Sequence, residues 1–305
     1  MGLEILITDE IIDKYLKAGK IASRVRKYAM KIVKPGVRIY DICENIEKKI
    51  IEEGGLPAFP CNISVNEIAA HYTAYIDDPS TIPDKSLVKV DIGVHIDGYI
   101  ADTAVTLAFD PKYDELNIAV ETALERAIEV IRPGIRVSKI GEIIESTIKA
   151  YGYKPIRNLS GHSIERYNLH SGTSIPNVKD LFSLSRIEAN KVYAIEPFGT
   201  TGVGYVVEGK GVYIYSLRRE GKVKGNLARR IIENVKKKYN GLPFAERWLK
   251  NIVHSRDELV GVLKRLVKSK ILNHYPVLVE ASANPVSQFE HTVLVLGKEI
   301  VVTTL

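Results

Sequence analysis

Apolar residues recur along this chain at two periods, and the alternation between them outlines its organisation. At residues 11–33 and 115–131 aliphatic side chains return every three to four positions, the spacing that gives a helix one apolar face. A second stretch of the same period follows each. One opens at Lys34-Pro35-Gly36-Val37-Arg38-Ile39, the other, 98 positions later, at Arg132-Pro133-Gly134-Ile135-Arg136-Val137. Beyond the Pro-Gly turn the likeness continues: Ile42, Ile46, Ile50 and Gly54 align with Ile140, Ile144, Ile148 and Gly152, an amphipathic helix closed by glycine in both copies. Strand-rich sequence follows each copy. The chain therefore reads as two related α+β halves, roughly 1–110 and 111–305, with a cleft between them to which both can contribute.

The period of two is clearest in Val88-Lys89-Val90-Asp91-Ile92-Gly93-Val94-His95-Ile96-Asp97-Gly98-Tyr99-Ile100-Ala101-Asp102-Thr103-Ala104-Val105. Asp97-Gly98 between two apolar runs predicts a two-residue hairpin turn, because such a turn requires positive φ. If Ile96 faces Tyr99, Asp91 faces Ala104 and Gly93 faces Asp102. Side chains alternate along a strand, so the two aspartates are diagonal neighbours on one face while Val90, Ile92 and Val94 take the other. Diagonal positions lie roughly 7–8 Å apart at the backbone, close enough for two carboxylates to meet one ion. Their repulsion calls for a positive charge there, unless the face is an ordinary solvated one.

More acids sit out of place on apolar runs downstream. Glu196 ends the run Val192-Tyr193-Ala194-Ile195, and Glu290 is expected inside the β-prone run 288–295. Two of the seven histidines, His162 and His170, fall in Gly161-His162-Ser163-Ile164-Glu165-Arg166-Tyr167-Asn168-Leu169-His170, a segment that reads as too polar for core. Such imidazoles either do chemistry or satisfy backbone groups. Asp91, Asp102, Glu196, Glu290 and His162 together form an oxygen-rich set suited to two divalent ions such as Mn, Co, Fe or Zn, not to a thiolate-bound structural zinc. Paired metals activate water and polarise a carbonyl, the chemistry of aminopeptidases.

Composition narrows the class. A chain of 305 residues, 45% hydrophobic and 26% charged, can bury a large core. Cys43 and Cys61 are too few for a disulfide scaffold, which points to a reducing compartment. Residues 1–16 carry Glu4, Asp9, Glu10 and Asp13, unlike a secretory signal, and no run approaches the roughly 20 apolar residues of a membrane span. A soluble cytoplasmic protein is expected. Charge is unevenly spread: residues 217–272 hold 16 Lys/Arg against 5 Asp/Glu, in a chain whose total is +6. That segment reads as three helices, at 226–239, 243–253 and 255–271, the last opened by the capping pattern Ser255-x-x-Glu258. Its basicity marks a solvated face or a surface for nucleic acid or the ribosome.

These motifs resemble the type II methionine aminopeptidases, of the short archaeal kind without an N-terminal extension, within the creatinase/aminopeptidase "pita-bread" family. The resemblance runs nearly end to end. It is carried by Phe59-Pro60-Cys61-Asn62-Ile63-Ser64-Val65-Asn66-Glu67-Ile68-Ala69-Ala70-His71-Tyr72-Thr73, Lys89-Val90-Asp91-Ile92-Gly93, Asp102-Thr103-Ala104, Gly161-His162-Ser163-Ile164, Leu169-His170, Ala194-Ile195-Glu196 and Glu290-His291-Thr292, with the helical insertion as the type II feature. It implies a single α+β domain, two pseudo-symmetric halves around a central antiparallel sheet with 217–272 inserted in the second. It further implies two divalent metal ions held by Asp91, Asp102, His162, Glu196 and Glu290, with Asp102 and Glu290 bridging, Asp91 on one ion, and His162 with Glu196 on the other. By the same resemblance a metal-bound hydroxide attacks the first peptide carbonyl, Glu196 shuttles protons, His71 and His170 contact substrate and tetrahedral intermediate, and Phe59, Asn62 and Leu169 line a methionine pocket. The implied substrates are the N-termini of nascent polypeptides whose second residue is small; separately, the charge of the basic 217–272 insertion offers ribosome contact as the alternative to a solvated face, and a monomer is expected. Two alternatives stay open: a proline-specific enzyme of the same fold, and a metal-free binding relative.

Overall fold

The computed structural model describes residues 7–221, 223–297 and 299–305; Glu4, within the acid-bearing N-terminal stretch, and Lys222 of the basic segment lie outside the described residues. Six α-helices are described: α1 (Asp9–Ile32), α2 (Ile39–Glu52), α3 (Asp114–Glu129), α4 (Val137–Ala150), α5 (Asn226–Tyr239) and α6 (Arg256–Lys268). The helix pairs α1–α2 and α3–α4 are the repeated sequence units. In each, a Pro-Gly turn with glycine at positive φ starts the second helix, and Gly54 or Gly152, again at positive φ, ends it.

Every named strand pairing among the described residues is antiparallel, and the layer expected as one central sheet is divided into four hydrogen-bonded sheets. The strands Leu87–Ile96 and Tyr99–Ala108 form the hairpin predicted by Asp97-Gly98, in the predicted register: Ile96 faces Tyr99, Asp91 faces Ala104, Gly93 faces Asp102. Both turn residues have positive φ, as that turn demands. Val90, Ile92 and Val94 point back onto α1, joining Ala18, Ile21 and Val25 in the main core, which runs continuously into α3, α4 and the strands of the second half. Burying each such aliphatic side chain contributes about 1.5–3 kcal/mol, and the core is continuous from α1 and α2 to α3 and α4.

In the second half, Ser160–Ile164, Lys191–Ile195 and His291–Leu296 lie side by side. The polar segment read as non-core is only partly so: residues 160–164 form a strand with Gly161 to Ile164 buried, and exposure resumes at Glu165. Its polar residues were misleading because His162 faces other polar side chains instead of water. Glu290 also departs from expectation. It stands between the strands Val286–Gln288 and His291–Leu296 and bridges across to Ala104, which joins the first hairpin to the second-half sheet at the level of the acids.

The basic segment has a core of its own, built from Ile231 and Val235 of α5, Phe244, Leu249, and Leu259 and Leu263 of α6. The first and third helices fall as predicted, with Ser255 accepting a hydrogen bond from the Glu258 amide at the start of α6. The middle one does not. Residues 244–245 pair with the long strand Val206–Leu217, and Glu246–Ile252 is a 3₁₀ helix. Pairing of Phe244 with Tyr215 and burial of Arg247 override the weak helical period there.

Candidate metal centre

Five ionisable side chains from five separate strands and connections meet in one cavity of about 380 Å³: Asp91 and Asp102 from the two strands of the first hairpin, His162 from its buried strand, Glu196 just past Lys191–Ile195, and Glu290 at the break between strands. Ligand atoms of Asp102, His162 and Glu290 lie within 4.8 Å of one another. The His162 Nε2 is 3.7 Å from both Asp102 Oδ2 and Glu196 Oε1. Among the described residues no lysine or arginine forms an ion pair with these acids. Asp91 Oδ1, Asp102 Oδ1 and Glu290 Oε1 are buried without any hydrogen-bond partner, an arrangement that costs several kcal/mol unless something outside the chain completes it.

The electrostatics follow from that geometry. Burial raises the Asp91 pKa to about 7. Burial and then the charges of Asp91 and Glu196 hold Asp102 well above the carboxylate range, and Glu196 and Glu290 rise for the same two reasons. Burial and the neighbouring His170 bring His162 down to about 3, so its imidazole is neutral and able to bind metal. Acids that cannot all ionise together, beside a neutral imidazole, define a site that becomes stable when cations enter it. The residues fit divalent metal: hard oxygen donors, one imidazole, buried orphan oxygens, and no thiolate, since Cys43 and Cys61 lie buried elsewhere in the core.

The backbone around the ligands is fixed from behind. The Asp102 amide donates to Thr292 Oγ1 (2.7 Å), which in turn donates to the Asp102 carbonyl (2.8 Å), and Thr103 Oγ1 donates to the Glu290 carbonyl (2.9 Å). Arg26 of α1 reaches Thr103 and, at 3.3 Å, His291 Nδ1, the residues immediately after the two acids.

The remaining expected residues line the same cavity: Phe59, Asn62, His71, Leu169 and His170. The rings of His162 and His170 meet edge to face at 4.3 Å between centroids. His170 opens towards the cavity, and the enclosing wall and then His71 hold its pKa below the usual value. The His71 Nδ1 lies 3.1 Å from the Pro276 carbonyl. A carbonyl only accepts, so Nδ1 carries the proton and Nε2 of the neutral ring is a free acceptor. Two lining residues were not singled out in the sequence. Tyr275 packs edge to face on His71, and Gln288 Nε2 donates to Glu196 Oε2 at 3.4 Å. Gln288 sits two residues before Glu290, so strand alternation alone would have placed both on one face.

Residues 13–295 match the model of metallopeptidase family M24, and the chain belongs to that family. Within it, the chain is 48% identical over 300 residues to a methionine aminopeptidase of Saccharolobus solfataricus, covering 98% of this chain and 99% of that one. Its enzyme class is the same: a methionyl aminopeptidase of the metallopeptidases. Among solved structures, it resembles a thermophilic Arx1 (18% identity, TM-score 0.84, 97% and 91% of the two chains) and a methionine aminopeptidase of Thermotoga maritima (22%, 0.70, 97% of each), likenesses that establish the shared pita-bread α+β fold. No helix of the described residues is long and apolar enough to cross a membrane.

Proposed function

We propose that the chain holds two divalent ions and removes the N-terminal methionine of nascent polypeptides when the second residue is small. The observation that carries this reading is the convergence of five ligand-type side chains, four of which leave a buried polar atom without a partner, on a cavity whose other wall is the apolar pair Phe59 and Leu169. Asp102 and Glu290 would serve both ions, Asp91 would hold one, and His162 with Glu196 would hold the other; Co, Mn, Fe or Zn would suit these donors. When bound, such ions supply positive charge to the acids, an activated water and polarisation of the scissile carbonyl.

The chain's own groups do the rest. Phe59, Leu169 and Asn62 receive the thioether side chain, for which apolar walls are suited. His71 Nε2, free to accept, meets an N–H of the substrate, and the neutral His170 donates to the carbonyl oxygen as negative charge grows there. Glu196, whose Oε2 accepts from Gln288, takes the proton that the attacking water gives up and passes it to the departing amine. The chain acts as a single catalytic domain with halves near 1–110 and 111–305 and residues 217–272 as its inserted subdomain. Exposed Arg229, Arg230, Lys236, Lys237 and Lys238 on α5 offer the ribosome an electrostatic contact, and the working form is a cytoplasmic monomer.

The test is methionine release from Met-Ala-Ser and Met-Lys-Ser peptides by chelated enzyme titrated with Mn or Co. Release from Met-Ala-Ser that rises with added metal supports the reading. Equal rates on both peptides, or activity indifferent to chelation, would contradict it.

A further inference from the structure

We propose that Gly93, which does not line the cavity, determines the selectivity of the methionine pocket by forming the bed on which the Phe59 ring lies. This rests on the aminopeptidase reading of the cavity and deepens it. Leu56–Pro57 pairs with Leu87–Ile96 so that Pro57 faces Val94, and the Ala58 amide still reaches the Gly93 carbonyl at 3.0 Å. Pairing resumes with Asn62 facing Asp91. Four residues, 58–61, thus lie opposite two, 92 and 93, and the excess arches over the strand. The Phe59 ring falls back beneath this arch onto Gly93: a Cβ built there would stand 2.2 Å from Phe59 Cε1 and 2.4 Å from Cδ1. The φ of Gly93 is open to any residue, so contact with the ring alone forbids a side chain.

A ring lifted off this bed has one open direction. Phe59 otherwise packs within a buried cluster that includes Tyr15, Ile100 and Ala194, whereas its cavity side is free. A methyl group at position 93 therefore pushes the ring into the space meant for the substrate's first side chain. Gly93 also stands directly across from Asp102 and two residues from Asp91, so a substitution there has a second route to the site, through the ligands themselves. The two routes separate in a double-mutant cycle, because only the first depends on the ring.

The experiment measures metal stoichiometry and the kinetics of Gly93→Ala, Phe59→Ala and the double variant. Substrates are Met-Ala-Ser and a peptide led by the smaller norvaline. Gly93→Ala should keep its metal and raise KM more than it lowers kcat. It should lose on the order of 10-fold in kcat/KM for methionine, and shift preference towards norvaline. In the Phe59→Ala background the same change should have an effect of less than about 2-fold. Equal losses in both backgrounds, or loss of metal in Gly93→Ala, would overturn the proposal. Should Gly93→Ala fail to fold, the double variant, with no ring to meet the methyl, should fold and behave as Phe59→Ala; failure to do so is equally fatal. Absence of methionine release by the metal-loaded wild type would instead sink the aminopeptidase reading itself.

Discussion

Two of the places where the molecule buries charge stand in contrast: one is completed within the chain and the other is not. Arg247, inside the basic insertion, has a fully buried side chain that pairs with Glu47 of α2, reaches Glu44 at 3.2 Å and donates to Thr73 Oγ1 at 2.9 Å. Glu47 also accepts from the Cys61 amide (3.0 Å) and Trp248 Nε1 (2.7 Å). Every charge there finds an opposite charge or a donor within the chain. The acids around His162 have no cation of the chain beside them and leave three buried oxygens without partners. A buried charge cluster that satisfies itself is architecture; one that does not calls for charge from outside the chain. The first cluster nonetheless serves the second, since Glu47 and Thr73 hold the segment that runs from Cys61, next to the lining residue Asn62, to just past His71.

The contrast can be broken most severely by removing one acid from each cluster. Asp102→Ala or Glu290→Ala should abolish peptide hydrolysis while the chelated protein melts no lower than wild type, because one repelling charge is gone. Glu47→Ala should do the opposite. It strands Arg247 without its main partner, at a cost of about 3–5 kcal/mol in stability, while the folded fraction keeps its metal. Parallel thermal melts and metal analysis decide, and a destabilised, chelated Asp102→Ala would erase the distinction.

The two histidines sharpen the contrast within the site. His162→Ala should lose metal first and activity in consequence. His170→Ala should keep its metal and lose about 10²- to 10³-fold in kcat, roughly 3 to 4 kcal/mol of transition-state stabilisation. Equal metal loss in both variants would show that His170 had been given the wrong task.

A smaller effect should appear with pH. Folded-state pKa values raised above their unfolded ones mean that Asp91, Asp102, Glu196 and Glu290 stabilise the metal-free fold while protonated, and that this is lost as pH rises, for Asp91 through about 7. Bound metal keeps the acids ionised and removes that penalty. Below about 6.5 the depressed His162 works in the opposite direction, losing stability as pH falls. The melting-temperature gap between metal-loaded and chelated protein should therefore widen as pH climbs from about 6.5 to 8; a constant gap would mean that the acids are already ionised without metal.

How much of this was legible beforehand varied with the range of the interaction. The hairpin was readable because Asp97-Gly98 pins its own register, and register alone places Asp91 and Asp102 side by side. The repeated helices were readable from period and glycine. Glu290 was identified, but not its position in a break between strands, because the bridge to Ala104 joins residues distant in sequence. Arg247 and Glu47, 200 positions apart, left no local trace, and the partner's burial drew residues 246–252 out of the helix their pattern suggested. Tyr275 likewise reaches His71 only through the tertiary fold.

The central claim, that the unpaired acids form a two-ion hydrolytic centre, is tested most directly by titrating chelated protein anaerobically with Mn or Co. Bound metal and methionine release from Met-Ala-Ser would be followed in the same samples. The account predicts saturation at about two ions per chain, with activity rising as they bind and both lost together in Glu290→Ala. Saturating activity without bound metal, or unchanged binding and turnover in Glu290→Ala, would contradict it.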